Sequence, residues 1–205
     1  MDASGLLDLL RVAVPGAAIE PLSAVDMPTL AVDRDHLLEV SRVLRDDPRL
    51  QYALLVDVTA VDRLPNEPRF EMVYHMACIG AAFLTAGATA PAQASRLRLK
   101  VGLPADDARV PSVTGIWPTA GWPEREVFDL FGIIFVDHPD LRRILMPDDW
   151  EGYPLRRDSP VQIRKDAASW SPLQMTAEEF ARNVRVGHDK AVKRAHPVAP
   201  KPDVQ

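Results

Sequence analysis

The chain has 205 residues, 47% of them hydrophobic, so it can bury one core, and its length favours one domain with extensions over two full domains. Its formal net charge of −5 argues against a nucleic-acid binder. A single cysteine, Cys78, excludes an internal disulfide and any all-cysteine iron–sulfur site built from this chain alone, and it fits a reducing compartment.

The first half of the chain predicts helices and strands in separate runs. Helices are expected at 4–13 and 33–46, where apolar residues recur at helical spacing. Extended segments are expected at 17–22, 29–32, 50–59, 70–79 and 97–103. Such segregation predicts an α+β fold of two layers, with helices packed on a mixed β-sheet and an extended C-terminal strap and tail.

The first half of the chain predicts neither a membrane-spanning segment nor an export signal. Residues 76–95 carry no charge, but they are built from Ala, Gly and Thr and include Pro91 and Gln93. Such a segment gains too little from lipid to span a bilayer, so it is expected to hold a strand end and a loop. The N-terminus lacks basic residues ahead of its apolar segment, so no export signal is expected.

The region after the strands predicts a loop and then a short helix. Residues 106–111 are expected to form a solvent-facing connection, and residues 112–117 a single turn. A helix is expected over 123–131, because Pro123 fits a first helical position and Gly132 supplies the end.

Three further elements are expected after this helix. The apolar, β-branched run 133–136 predicts a strand buried on both faces. A turn at 137–139 leads to a second short helix over 139–146, which Pro147 ends. Prolines bracket the segment 154–160, which predicts an extended strap on the surface.

Glu124 is the residue of the predicted helix whose charge conflicts most with its position. A helical wheel places it inside the apolar arc, whereas Arg125 and Asp129 fall on the opposite face. A buried carboxylate needs a cation, so we expect Glu124 to be buried and bonded to an arginine, and Glu124→Ala to destabilise far more than Asp129→Ala. The candidate partners are Arg142, Arg143, Arg156 and Arg157.

The same residues form a recognisable motif. Glu124-Arg125-Glu126, two residues, Asp129-Leu130-Phe131, six residues, His138, three residues and Arg142-Arg143-Ile144-Leu145 are similar to the signature of the C subunit, or 30 kDa subunit, of respiratory NADH:quinone oxidoreductase, complex I. The runs around Asp140 and over Pro154-Leu155-Arg156-Arg157-Asp158 resemble the same family. Tyr153, Arg157 and Ser159 replace the histidine, lysine and tyrosine that are usual there, which are mild changes.

The resemblance implies a function. It implies a non-catalytic structural subunit in the peripheral arm of a proton-pumping NADH:quinone oxidoreductase, on the cytoplasmic side of the cell membrane. It implies packing against the D subunit, which holds the quinone site, near subunits B and I, with FMN, iron–sulfur clusters and quinone on other subunits. The signature or interface residues are Glu124, Arg125, Glu126, Asp129, His138, Asp140, Arg142, Arg143, Arg156, Arg157 and Asp158.

Two alternatives remain open from the sequence. One is the equivalent subunit of a related membrane-bound hydrogenase or another quinone reductase. The other is a free-standing metal-dependent hydrolase, whose imagined ligands are Glu124, Glu126, Asp129, His138, Asp140, Asp148 and Asp149. The spacing argues against that metal site, since no His pair lies at i, i+4, and His138 is expected to cap or hydrogen-bond instead.

The remaining motifs favour an interaction protein over a catalyst. No phosphate loop or nucleophile elbow is present, so no catalytic, cofactor-binding or metal residue is expected. Aromatic residues near arginines have the composition of an interface core, and they are Trp122, Trp150, Tyr153 and Trp170.

The chain is expected to divide at residue 158. Residues 1–158 form the predicted domain, and residues 159–205 form an arm that contacts partner subunits. Thr176 opens a possible capping box for a helix to about residue 185, and 182–201 is a basic tail. A solvated tail with no partner is the alternative for this segment.

Overall fold

The structure is a computed structural model that describes residues 3–79 and 95–160 and the single positions 176, 178 and 182. The helices are α1 (Ala3–Ala13), α2 (Leu37–Asp46) and α3 (Gly121–Phe131), with 3₁₀ helices at Arg34–His36 and Pro118–Ala120. The strands are β1 (Ile19–Leu22), β2 (Thr29–Val32), β3 (Leu54–Asp62), β4 (Phe70–Cys78), β5 (Ser95–Leu103), β6 (Arg109–Pro111) and β7 (Ile134–Val136).

The main sheet has five strands in the order β1-β2-β5-β4-β3. Its neighbours are antiparallel except β2 and β5, which are parallel, so the sheet is mixed. A second, two-stranded sheet joins β6 and β7 in parallel. The predicted α+β fold, with helices packed on a mixed sheet, is confirmed.

The core forms because alternate residues of each strand point to one face of the sheet. In β4 the buried side chains include Phe70, Met72 and Tyr74, and in β5 they include Leu99 and Val101. Cross-strand register places Met72 opposite Val101 and Tyr74 opposite Leu99 on that face. Buried leucines of α1 and α2 join the same hydrophobic cluster and cover the face.

One strand prediction and one loop prediction need correction. Strand β3 begins at Leu54 rather than at residue 50, because residues 47–51 form a turn in which the N–H groups of Leu50 and Gln51 both donate to Asp47 O. The predicted solvent-facing connection at 106–111 contains β6, whose Val110 is fully buried. Its partner strand lies more than twenty residues later, which local pattern does not reveal.

Helix α3 and β7 follow the prediction in part. The helix begins at Gly121, two residues before the predicted start, because the 3₁₀ helix Pro118–Ala120 runs directly into it. It ends at Gly132, whose φ of 71° is left-handed, as expected of a glycine stop. Strand β7 exists, but only Phe135 is buried, so burial on both faces is wrong.

The C-terminal region is described only in part. The first compact unit of the chain is Met1–Val161, and the second, Gln162–Gln205, contains three described positions. Glu178 and Arg182 are helical, while the rest of the predicted helix and tail lies outside the described residues, as do residues 80–94. The division at residue 158 therefore stays a prediction. Among the described residues, no helix is long and apolar enough to span a bilayer.

Gly132 provides a test of how the end of α3 is packed. A Cβ at this position would meet the ring of Tyr153 and would lie 2.6 Å from Arg156 Nη2. Gly132→Ala is therefore expected to lower the free energy of unfolding by about 3 kcal/mol, through left-handed strain and overpacking together. Chemical denaturation measures this change.

Gly152→Ala is the matched control. Gly152 also has a left-handed φ, of 79°, but a Cβ at this position would have nothing within 4 Å. This variant should lose only about 1 kcal/mol, from backbone strain alone. Equal losses in the two variants would contradict the close packing at Gly132.

Candidate functional site

The motif residues gather around α3, which carries two fully buried carboxylates. Glu124 and Asp129 are both 0% exposed, whereas Glu126 of the same helix is exposed. Glu124 is directed towards the loop after β6, and Asp129 towards residues 139–160, called here the wrapping segment. The two acids therefore organise different parts of the molecule.

Asp129 binds the wrapping segment through four strong hydrogen bonds. Its Oδ2 accepts the backbone N–H groups of Ile144, Leu145 and Met146 at 3.0, 2.7 and 2.8 Å. Its Oδ1 accepts from Arg143 Nη1 at 2.8 Å. Burial alone would raise the pKa of Asp129, but these donors outweigh it, so that the pKa lies below its usual value.

Two predictions fail at this point for one physical reason. The helical wheel puts Asp129 on an outer face, but the wrapping segment folds over that face and buries it. The pattern over residues 139–146 predicts a helix, but these residues form turns and bends. Three consecutive amides that donate to one carboxylate cannot also form the hydrogen-bond ladder of a helix.

Arg143 extends the contact made by Asp129. Its guanidinium also donates to the backbone oxygens of Trp150 at 3.2 Å and Gly152 at 3.1 Å, and it lies 5.4 Å from the ring centroid of Tyr153. One cation thus joins α3 to both halves of the wrapping segment, and only 17% of its side chain is exposed.

Arg156 caps the C-terminus of α3. Its Nε donates to Phe131 O at 2.5 Å, and its Nη2 donates to Gly132 O at 3.4 Å. The guanidinium lies 4.6 Å from the Tyr153 ring centroid and 5.3 Å from that of Phe70. A cation at the negative end of a helix is stabilising, and here it also closes the wrapping segment over the core.

The end of the wrapping segment binds a buried ion pair that the sequence analysis missed. Arg69 donates to both oxygens of Asp62, at 3.1 and 3.0 Å, and forms an ion pair with Asp158 at 2.8 Å. The backbone N–H of Arg157 donates to Asp62 at 2.8 Å. Asp62 follows Val58 and Ala60 at alternate positions of β3, so the strand pattern alone could have placed it on the buried face.

The electrostatics of Asp62 reflect these contacts. Burial raises the pKa of its carboxyl, but the donors Arg69, Arg157 N–H and Leu64 N–H lower it to about 2.

The strap prediction is right in location but wrong in form, since residues 154–159 form turns and bends over the surface rather than an extended chain.

Glu124 is buried as predicted, but its partner is not an arginine. Its Oε2 accepts from Ser112 Oγ at 2.6 Å, and its Oε1 accepts from the backbone N–H of Val113 at 2.8 Å. In the part of the chain that the structure describes, Glu124 has no ion pair with an arginine or lysine. Arg143 and Arg156 do tie the helix to the wrapping segment, but through Asp129 and the helix end.

His138 lies close to Glu124. Its Nδ1 accepts the backbone N–H of Asp140 at 3.0 Å, so the ring proton lies on Nε2, which donates to Gly121 O at 3.1 Å. Nε2 lies 3.9 Å from Glu124 Oε2, too far for a hydrogen bond. The prediction that His138 is a hydrogen-bonding residue is confirmed.

Glu124 therefore lies in a buried site where the described residues place no arginine or lysine beside it. Burial raises the pKa of its carboxyl to about 7, against the weaker opposing effect of the hydrogen bonds from Ser112 and Val113. The hydroxyl of Tyr74 is also buried, makes no hydrogen bond to the described residues, and has a pKa raised well above its usual value by burial and then by the charge of Glu124.

The other motif residues lie at or near the surface. Arg142 is exposed and pairs with the exposed Asp140 at 2.6 Å. The helical wheel points Arg125 outward, but it donates to the backbone oxygens of Arg142 and Arg143 and stacks 5.1 Å from Trp122. Trp122 itself is 69% exposed, which leaves a large aromatic side chain available on this face.

The buried carboxylates of the cluster form their hydrogen bonds within the chain. Each buried carboxylate is occupied by donors from the chain itself, and Asp62, Glu124 and Asp129 point to separate partners. Among residues 3–79 and 95–160, no group of three histidine, cysteine or acidic side chains is arranged to hold a metal ion.

Comparisons with known proteins agree on one family. Residues 30–165 match the family described as respiratory-chain NADH dehydrogenase, 30 Kd subunit. The chain is 43% identical over 183 residues to the C subunit of NADH-quinone oxidoreductase from Roseiflexus sp., covering 89% of this chain and 98% of that protein. It is 39% identical over 176 residues to the corresponding C subunit from Azorhizobium caulinodans, covering 82% of this chain and 77% of that protein.

Solved structures give the same architecture. A trypsin-resistant fragment of Nqo5 matches with a TM-score of 0.53 and 29% identity, covering 69% of this chain and 100% of the fragment. A chain of the membrane-bound sulfane sulfur reductase, an archaeal respiratory membrane complex, matches with a TM-score of 0.57 over 98% of this chain and 95% of that chain. At 21% identity, the second likeness is one of fold alone.

Asp129→Ala tests the role of the buried acceptor. The change leaves Arg143 and three backbone amides without their acceptor, so a loss of about 3–5 kcal/mol in the free energy of unfolding is expected. Asp140→Ala removes an exposed carboxylate from the same region and should unfold close to wild type. Denaturant titrations of both variants measure the difference, and equal midpoints would contradict the assignment of Asp129.

The raised pKa of Glu124 predicts a pH dependence. Between its usual value of 4.5 and about 7, the native state binds more protons than the unfolded state, so the free energy of unfolding falls as pH rises. The fall due to Glu124 is about 3 kcal/mol across this window. Glu124→Gln should remove this part of the profile, whereas Glu126→Gln on the exposed face should retain it. Parallel profiles for wild type and Glu124→Gln would show that Glu124 does not titrate there.

Proposed function

The chain belongs to the family of the 30 kDa subunit of respiratory-chain NADH dehydrogenase, and on that premise we propose that it is a non-catalytic structural subunit of the peripheral arm of a proton-pumping NADH:quinone oxidoreductase. The observation that carries the proposal is the use of the motif residues inside the fold. Asp129, Arg143 and Arg156 bind the wrapping segment to α3. These contacts support a role in building a surface rather than in transforming a substrate.

The proposed cofactor arrangement rests on the family, and the same contacts support it. FMN, iron–sulfur clusters and quinone are bound by other subunits of the assembly. The buried acids have acceptor positions taken by Ser112, Arg69, Arg143 and backbone amides, and Cys78, the single cysteine of the sequence, lies in the core. This donor set is a poor match for a flavin or for a cluster ligated by cysteine.

The proposed partners are the D subunit, which holds the quinone site, and subunits B and I nearby. Exposed apolar side chains around the motif support a protein interface, since Trp122 is 69%, Leu145 59% and Leu155 51% exposed. Trp122 is stacked on Arg125, whose guanidinium is held by two backbone oxygens, so this aromatic anchor is preorganised. The C-terminal arm from residue 159 adds a second contact with the partners.

Through those partners the protein lies peripherally on the cell membrane, on its cytoplasmic side. The equivalent subunit of a membrane-bound hydrogenase or another quinone reductase is the alternative. The likeness to the sulfane sulfur reductase chain favours it only by fold, whereas 43% identity to the Roseiflexus C subunit favours the NADH-linked assembly.

Isolation of the native assembly tests the proposal. A tagged chain should fractionate with membranes, and a chaotropic wash without detergent should release it, since its membrane contact runs through other subunits. Gentle detergent extraction should recover it with subunits D, B and I in an assembly that reduces quinone with NADH. Recovery with hydrogenase subunits, recovery alone, or resistance of the chain to the wash would contradict this account.

A further inference from the structure

We propose that Glu124 is a proton-binding site that exchanges its proton with solvent through the hydroxyl groups of Ser112 and Thr114. These two hydroxyls and the carboxylate are called here the hydroxyl relay. The structural role of the subunit does not require an acid at position 124, because a glutamine could accept the same hydrogen bond from the N–H of Val113.

The hydroxyl relay runs from the core to the surface. Glu124 Oε2 lies 2.6 Å from Ser112 Oγ, which lies 2.7 Å from Thr114 Oγ1. Glu124 is 0% exposed and Ser112 is buried, whereas Thr114 is only half-buried. Both separations are normal for O–H···O hydrogen bonds, so a proton can pass along the row without movement of heavy atoms.

The relay has two complete hydrogen-bond patterns. With Glu124 ionised, Thr114 Oγ1–H donates to Ser112 Oγ, and Ser112 Oγ–H donates to Glu124 Oε2. With Glu124 protonated, both bonds reverse, so that Glu124 Oε2–H donates to Ser112 and Ser112 donates to Thr114. The backbone N–H of Thr114 donates to Ser112 Oγ at 3.2 Å in either pattern, so Ser112 stays fully bonded.

Conversion of one pattern into the other is balanced. A hydronium ion at the surface gives a proton to Thr114 Oγ1, Thr114 passes its own proton to Ser112, and Ser112 passes its own to Glu124 Oε2. Three O–H bonds form and three break, and the products are water and a neutral carboxylic acid. The proton arrives on Oε2, because Oε1 is held as an acceptor by the N–H of Val113.

The surroundings of Glu124 keep both states accessible. Within residues 3–79 and 95–160, the titratable groups that face it are His138, from the turn after β7, and Tyr74, from β4. The His138 ring donates its Nε2 proton to Gly121 O rather than to Glu124, and the Tyr74 hydroxyl is buried. Because burial raises the pKa of Glu124 to about 7, ionised and neutral forms coexist near neutral pH.

Thr114→Val and Thr114→Ser separate a relay from a merely buried acid. Valine removes the outer hydroxyl but keeps the methyl group that lies near Gly121, whereas serine keeps the hydroxyl. The full-length chain, labelled with ¹³C at glutamate carboxyls, is followed by NMR from about pH 5 to about pH 9. Glu124→Gln identifies the Glu124 resonance, and relaxation dispersion gives its proton-exchange rate.

Wild type and Thr114→Ser should show Glu124 titrating near neutral pH with rapid exchange. Thr114→Val should keep that midpoint while its exchange rate falls at least about 10-fold, since the outer link of the row is missing. A Glu124 resonance that does not titrate in this range would overturn the proton-binding site. Equal exchange rates in Thr114→Val and Thr114→Ser would overturn the relay.

Discussion

The buried carboxylate of Asp129 is the constraint on which the region around α3 depends. A charge without solvent is tolerated only when donors surround it, and Asp129 meets three backbone amides and one guanidinium. Those amides belong to a segment with no helix or strand of its own. One side chain on a rigid helix therefore fixes the path of a chain that local propensity leaves undefined.

The rest of the wrapping segment follows from that anchor. Once Arg143 is held by Asp129, it also binds the oxygens of Trp150 and Gly152, and the chain reaches Arg156 at the end of α3. Beyond Arg156, Asp158 joins the pair of Arg69 and Asp62 at the edge of the main sheet. Charged residues of the motif thus connect helix, segment and sheet.

The sequence predicts the parts of this arrangement that depend on local periodicity. Alternation indicates β4 and β5, the helical wheel places Glu124 in the core, and Gly132 marks the end of α3. The failures at the buried acids involve residues that are distant along the chain. The helical wheel assumes that only one face of α3 is covered, so it places Asp129 on the solvent side. The wrapping segment, later in the chain, buries that side as well.

The same limit explains the wrong partner of Glu124. A buried acceptor needs a hydrogen-bond donor, and arginines do contact α3. Arg143, however, pairs with Asp129 rather than with Glu124. Ser112 and Val113, which bind Glu124, follow β6, and β6 is not recognisable without its partner β7. The chemistry of the candidate site can therefore be inferred from residue types, while the pairing requires the fold.

Amide hydrogen exchange at Ile144, Leu145 and Met146 tests the central role of Asp129 most directly. These amides lie in turns and bends, where exchange is ordinarily fast, so protection there must come from the carboxylate. The account predicts protection in wild type comparable to the interior of α3, and its loss at these three positions in Asp129→Ala while β4 stays protected. Fast exchange of the three amides in wild type would contradict it.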